Sequence, residues 1–170
     1  MSVARERLAL IVSEFTDLDS REKLELLLDF SNNLAVLPPE HALLASRSEH
    51  RVHECQTPVY LQIELDTNQK VHLFADIAPE APTVKGFVAI LAGALDGCSC
   101  DEVLGMQSNL LEQMGLADVL GILRSRGLRA IQEYIKREII RAIEKQALTK
   151  ERAMRENASM ILICLLLHVF

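Results

Sequence analysis

Val59-Tyr-Leu-Gln-Ile-Glu-Leu-Asp66 alternates apolar and polar residues without a break. Successive side chains of a β-strand point to opposite faces, so the apolar residues of this run share one face and the polar residues share the other. After Thr67-Asn-Gln69 the alternation resumes over residues 71–76. Two such runs with so short a connection predict an antiparallel hairpin, and other elements must cover its apolar face.

Helical patterns lie on both sides of this hairpin. Apolar residues recur at spacings of three and four, and the sequences Asp19-Ser-Arg-Glu22 and Ser99-Cys-Asp-Glu102 resemble capping boxes. This order of elements predicts an α+β domain in which helices pack on one face of a small antiparallel sheet. The predicted helices cover residues 3–15, 19–34, 84–97, 110–114 and 127–147, and residues 36–54 are predicted to be irregular.

Composition limits the classes of function. The chain has 170 residues, 49% of them apolar, which fits one globular domain. Eighteen Lys and Arg residues against 24 Asp and Glu residues give a net charge of −6, and there is no tryptophan and only two tyrosines. A nucleic-acid partner is therefore not expected, because phosphate backbones attract positive surfaces and exposed bases stack on aromatic rings.

The two ends of the chain bear on its compartment and its domain boundary. The N-terminus has no long apolar run with a cleavage site, which favours the cytoplasm and free thiols. We expect one domain over residues 1–147 and a charged, then apolar, extension of unknown role over residues 148–170. The apolar part, residues 158–170, is shorter than the about 20 residues of a membrane-spanning helix, so it is expected to be a buried or interfacial segment or an appendage, with no stable membrane span.

Cys55 stands out because it ends the irregular segment, immediately before the first strand. A loop anchored on a rigid strand can present a thiol to another protein. Arg51 and His53 would favour the thiolate while Glu54 would oppose it, so local charge does not decide its reactivity. From the residues alone, an inert buried thiol and a nucleophile both stay open.

Three segments resemble the SufE family of sulfur acceptors. They are Arg51-Val-His-Glu-Cys-Gln-Thr-Pro-Val-Tyr60, Thr83-Val-Lys-Gly-Phe-Val-Ala89 and residues 116–131, which include Arg124-Ser-Arg-Gly-Leu128. Their order and spacing match over roughly residues 5–145. The chain departs from the usual pattern at Glu54, where the family commonly has glycine, and at residues 121–123, where a Ser-Pro pair is common.

The resemblance implies a SufE-like and IscU-like fold and a sulfur carrier rather than a stand-alone enzyme. Cys55 would accept persulfide sulfur from a SufS-type cysteine desulfurase, stimulate that enzyme and pass the sulfur toward a SufBCD-type iron–sulfur scaffold. The step would need no cofactor and no metal. A loop would hide Cys55 among apolar neighbours and turn it outward on docking. The residues that the resemblance assigns to partner contact are Arg124, His53, Glu54, Gln56 and Lys85.

Other functions remain as alternatives. A metal-binding or iron–sulfur scaffold protein of the same fold is the main one, although His50, His53 and Cys55 lack the spacing of paired zinc ligands. A hydrolase would need His53 or His72 as the base with Asp76 as its orienter, but no oxyanion-hole motif accompanies Cys55. A pure adaptor is also possible. The remaining cysteines are expected to be small turn or apolar residues (Cys98, Cys100 and Cys164), unless Cys98 or Cys100 resolves an oxidised Cys55.

Overall fold

The computed structural model describes the backbone of residues 2–167 and the side chains of residues 2–156. Two strands and six helices follow one another in the order α1, α2, β1, β2, α3, α4, α5, α6. Three 3-10 turns lie between α2 and β1, at Pro39–His41, Leu44–Ser46 and Ser48–His50. The elements are α1 Val3–Phe15, α2 Ser20–Asn32, β1 Val59–Leu65, β2 Val71–Ile77, α3 Pro82–Leu95, α4 Cys100–Leu104, α5 Leu110–Gln113 and α6 Leu116–Leu167.

The predicted hairpin is confirmed. Strands β1 and β2 pair antiparallel, with Val59 opposite Ile77 at one end and Leu65 opposite Val71 at the other. The Asp66 carboxylate closes the turn, because its Oδ1 accepts the backbone N–H groups of Asn68 at 2.7 Å and Lys70 at 2.8 Å. The alternation of the sequence therefore sets the register, since a slip of one residue would turn every apolar side chain away from the core.

Both capping boxes are confirmed. The Asp19 side chain accepts the N–H groups of Arg21 and Glu22, and the Glu22 carboxylate accepts the Asp19 N–H. Ser99 and Glu102 form the same reciprocal pair at the start of α4. Each cap satisfies backbone donors that the first turn of a helix leaves without partners. Short polar signals in the sequence thus fix where two helices begin.

The core lies between the apolar face of the hairpin and the helices. Helix α3 packs on α2 and on β2, which confirms the predicted α+β arrangement. The approach of α3 to α2 is close at Gly86, where an added Cβ atom would lie 2.0 Å from the Leu27 carbonyl oxygen. The largest fully buried side chains include Phe15, Phe87, Leu27, Leu61, Ile90, Leu91, Leu95, Leu111, Met114, Leu116 and Leu128.

Residues 36–54 are more ordered than the sequence predicted. The 3-10 turns of this segment pack against the hairpin, and the His41 ring stacks on Phe74 with a centroid distance of 3.9 Å. Phe74 pairs with Gln62 on the polar face, opposite the face that the helices cover. The segment covers part of that second face, and this contact between distant residues gives no periodic signal in the sequence.

Helix α6 is longer than the predicted helix over 127–147. It runs over Leu116–Leu167, and Gly121 within it is non-helical, with φ 73° and ψ 171°. By its contacts the chain divides into the units Met1–Ile139 and Ile140–Phe170. The side chains of the predicted apolar segment over 158–170, including Cys164, lie outside the described residues, and the domain boundary at 147 stays a prediction.

Within the part of the chain that the structure describes, no helix combines the length and the apolar character that crossing a bilayer requires.

Candidate functional site

Cys55 lies in a short loop that is tied at its base to the first strand. The Val52 N–H donates to the Val59 carbonyl at 2.9 Å, and Arg51 pairs with Tyr60 in an isolated antiparallel bridge. The Cys55 N–H donates back to the Val52 carbonyl at 3.3 Å. These bonds close the loop over residues 53–58, so the hairpin fixes the place of the cysteine in the fold.

The side chains of this loop divide into an exposed rim and a buried thiol. His53, Glu54 and Gln56 are exposed, whereas Cys55 is only 5% exposed. The sulfur faces α6 at Gly127, where an added Cβ atom would lie 3.5 Å from Cys55 Sγ. The thiol therefore packs against α6 at Gly127, and this residue is called the floor of the thiol. A buried Cys55 was expected from the sequence, but its contact with Gly127 was not.

Burial governs the acidity of this thiol. Removal from water raises the pKa of Cys55, and the backbone N–H and the hydroxyl of Thr57 act in the opposite direction by hydrogen bonding to the sulfur. The charges of Arg51, His53 and Glu54, which the sequence offered as competing influences, are not among these causes. The thiolate is the nucleophile, so burial lowers the fraction of Cys55 that is in the reactive form.

Arg124 lies on α6, the helix that also carries Gly127. It is exposed and precedes Gly127 by one helical turn, so both residues lie on one side of α6. Next to it, at the non-helical Gly121, the side chains of Ile122 and Leu123 are 87% and 71% exposed. This end of α6 thus exposes a cation and two apolar side chains to solvent.

Lys85 lies elsewhere. It is a half-buried residue of α3, and among the described residues no hydrogen bond or ion pair joins its side chain to the Cys55 loop. The structure therefore places His53, Glu54 and Gln56 beside Cys55 in its loop, Arg124 on the helix that Cys55 contacts, and Lys85 on α3. The glycine that follows Lys85 has a packing role, as described above for Gly86.

Two residues of α6 belong to this region although sequence analysis missed them. Arg137 Nη2 lies 3.0 Å from Glu54 Oε1, and the Arg137 guanidinium lies 5.7 Å from the centre of the Tyr134 ring. The pairing joins residues 83 positions apart in the sequence, so no local pattern reveals it.

Cys98 and Cys100 lie at the other end of the hairpin. The Val71 N–H donates to the Cys98 carbonyl, and the Cys100 thiol donates to the Gln69 carbonyl. Cys55 precedes Val59 at the opposite end of a seven-residue strand, which spans about 20 Å. A disulfide needs Cα atoms within about 7 Å, so the idea of Cys98 or Cys100 as a resolving thiol is wrong for this folded state.

The surroundings of Cys55 differ from those of a metal site or a small-molecule pocket. Over residues 2–156, no group of three or more His, Cys, Asp and Glu side chains is arranged to hold a metal ion. A cavity of about 540 Å³ exists, but residues of α1, α4 and α5 line it, away from Cys55. The Cys55 thiol is instead buried against Gly127 of α6.

The sequence of this chain is similar to those of known proteins. Residues 9–139 match the family model SufE, described as an Fe-S metabolism associated domain. An uncharacterized SufE-like protein of Mycobacterium tuberculosis is 36% identical over 132 residues, which cover 78% of this chain and 90% of the relative. The sulfur acceptor protein CsdE of Escherichia coli is 31% identical over 115 residues, 67% of this chain and 74% of the relative.

A solved structure is similar to this chain in fold. The solution structure of a hypothetical protein from Thermus thermophilus superposes with a TM-score of 0.68 and 29% sequence identity. The match covers 81% of this chain and 96% of the other.

Proposed function

Since the chain belongs to the SufE family, whose domain is associated with Fe–S metabolism, we propose that Cys55 accepts sulfur from the persulfide of a SufS-type cysteine desulfurase. The name of the Escherichia coli relative, a sulfur acceptor protein, supports this assignment. We further propose that removal of the persulfide stimulates the desulfurase, and that the sulfur passes to a SufBCD-type scaffold in the cytoplasm.

The proposed step is an exchange between two thiols. The Cys55 thiol loses its proton, and its thiolate attacks the outer sulfur of the desulfurase persulfide. The sulfur–sulfur bond of that persulfide breaks as the new one forms, and the desulfurase thiolate leaves and takes up a proton. One sulfur atom changes carrier with no net oxidation, so neither an oxidant nor a cofactor is required.

The observation that carries the proposal is the burial of Cys55 against Gly127. Cys55 is buried in a loop whose backbone hydrogen bonds lie at its base, so the thiol can be shielded in one position and presented in another. Shielding suits a persulfide, which solvent thiols would otherwise reduce. Exposure by a docked partner would remove the burial that raises the thiol pKa, so the nucleophile would form where it is needed.

The residues that we propose contact the partner lie in the Cys55 loop, on α6 and on α3. The rim residues His53, Glu54 and Gln56 are exposed beside the thiol, and Arg124 lies one helical turn from its floor. Arg124 could form a charged hydrogen bond with an acidic group of the desulfurase. Lys85, on α3, would contact the partner only through a wider interface.

Mass spectrometry tests the transfer. The purified protein is incubated with cysteine and a SufS-type desulfurase, and the mass of one sulfur atom is expected on the Cys55 peptide. Cys55→Ser is expected to abolish both this modification and the stimulation of desulfurase turnover, because the acceptor atom is lost. Cys98→Ser is the matched control and is expected to behave as the wild type. Sulfur on other cysteines with none on Cys55 would contradict the proposal.

Docking through Arg124 is tested separately. Arg124→Ala is expected to raise the concentration that half-maximally stimulates the desulfurase about three- to tenfold, because a charged hydrogen bond is lost. Arg126→Ala is the control, since Arg126 is also exposed but residues two apart on a helix point to different sides. Equal effects of the two substitutions would show that Arg124 has no specific role.

A further inference from the structure

The residue directly before Cys55 is held by an ion pair to α6. Glu54 Oε1 and Arg137 Nη2 are 3.0 Å apart, and the two side chains are 46% and 47% exposed. The pair joins the rim of the Cys55 loop to the helix whose Gly127 forms the floor of the thiol. It therefore joins the Cys55 loop to α6, and these two must separate before the Cys55 thiol can become exposed.

The helix side of this pair is held in place. The Arg137 guanidinium lies over the Tyr134 ring, and Tyr134 is only 4% exposed. The Tyr134 hydroxyl lies 3.3 Å from the Glu49 carbonyl and 3.4 Å from the Leu61 carbonyl, so it can donate to either. These contacts hold Tyr134, whose ring lies under the Arg137 guanidinium, against β1 and the 3-10 turn at Ser48–His50.

The loop side of the pair is charged at neutral pH. The pKa of Glu54 is held below its usual range by a hydrogen bond from its own backbone N–H and by Arg137. An arginine is always protonated in proteins. The attraction is therefore present under the conditions in which the protein would work.

We propose that Glu54 and Arg137 form a latch that holds the Cys55 loop closed on Gly127 and must break before the thiol can reach a partner. The inference rests on the proposed function for its purpose, but the latch itself is a property of the free protein. Glu54 and Arg137 are positioning residues here, since neither touches the sulfur.

The expected size of the effect follows from exposure. Pairs with both side chains about half exposed are screened by water, and exposed pairs typically change an equilibrium by about two- to fivefold. The latch therefore biases the loop toward the closed position without locking it, as a carrier that must open at every cycle requires.

The test is the rate at which iodoacetamide alkylates Cys55 in the full chain, with no desulfurase present and each cysteine followed by peptide mass spectrometry. Glu54→Gln and Arg137→Gln are each expected to raise this rate about two- to fivefold. In the double variant the two effects should not multiply, because both remove the same pair. High salt should speed alkylation of the wild type but not of the double variant.

Two controls separate the latch from other causes. Arg126→Gln removes an exposed arginine elsewhere on α6 and should leave the Cys55 rate unchanged. Cys98, buried at the far end of the hairpin, should keep its own rate in every variant, since only global unfolding would expose it. Unchanged Cys55 rates in both single variants, effects that multiply, or equal acceleration of Cys98 would overturn the latch.

The result is distinguishable from failure of the proposed function. If the variants open faster while no desulfurase transfers sulfur to Cys55, the latch stands and sulfur acceptance is wrong. If sulfur reaches Cys55 of the wild type but the variants alkylate at the wild-type rate, sulfur acceptance stands and the latch is wrong.

Discussion

Replacing Gly127 by valine is expected to displace the Cys55 side chain from its buried position and to raise the rate of its alkylation by iodoacetamide about ten- to hundredfold. A Cβ atom at this position would already touch Cys55 Sγ at 3.5 Å, so the two methyl groups of valine would need the space that the thiol occupies. The backbone hydrogen bonds of the loop lie at its base, and beyond them a half-exposed ion pair joins it to α6, so the loop should yield before the helix does.

Gly127→Ala is the matched control. Its single methyl group fits at ordinary contact distance, so alkylation of Cys55 should stay close to the wild-type rate. Alanine also favours the helix by about 1 kcal/mol over glycine, so the thermal midpoint should not fall. If Gly127→Val alkylates no faster than Gly127→Ala, the thiol does not depend on this floor, and the proposed shielding is wrong.

Replacing Gly86 by alanine is expected to destabilise the whole domain by about 2–3 kcal/mol or more, measured by denaturant unfolding. The added Cβ would lie 2.0 Å from the Leu27 carbonyl oxygen, a backbone atom that cannot move aside without shifting α2. The cost therefore falls on the packing of α3 against α2, not on the chemistry of Cys55.

Gly93→Ala provides the comparison within the same helix. No atom lies within 4 Å of the added Cβ, so the substitution should stabilise the protein by up to about 1 kcal/mol through helix propensity. The difference between these two variants isolates the close approach of the helices. Equal stabilities would mean that α3 does not pack on α2 as described, and the Val-Lys-Gly sequence would need a functional explanation instead.

Local patterns account for most of what could be predicted. The hairpin follows from the alternation of Val59–Leu65 with its partner strand, and two helix starts follow from capping boxes at Asp19 and Ser99. Each of these signals is contained within a few residues. The 3-10 turns over residues 39–50 escaped prediction, because the stacking of His41 on Phe74 orders them from outside.

The candidate cysteine and its burial were expected from the sequence, but the residues that bury it were not. The sequence marked Cys55 through its place before a strand and through family resemblance. Whether the thiol faces solvent or the interior depends on Gly127 in α6, which no pattern around Cys55 reveals. The same holds for Arg137, and for the separation of Cys55 from Cys98 and Cys100 along the strand.

The sequence by itself determined the hairpin, the two capped helix starts, the family and the choice of Cys55 as the candidate residue, because periodicity, capping and motifs act over short distances along the chain. Only the tertiary structure decided that Cys55 is buried against Gly127, that its acidity is set by burial and Thr57, and that Glu54 is tied to Arg137. Burial and ion pairing depend on which distant segments meet, and that is fixed only when the helices close on the hairpin.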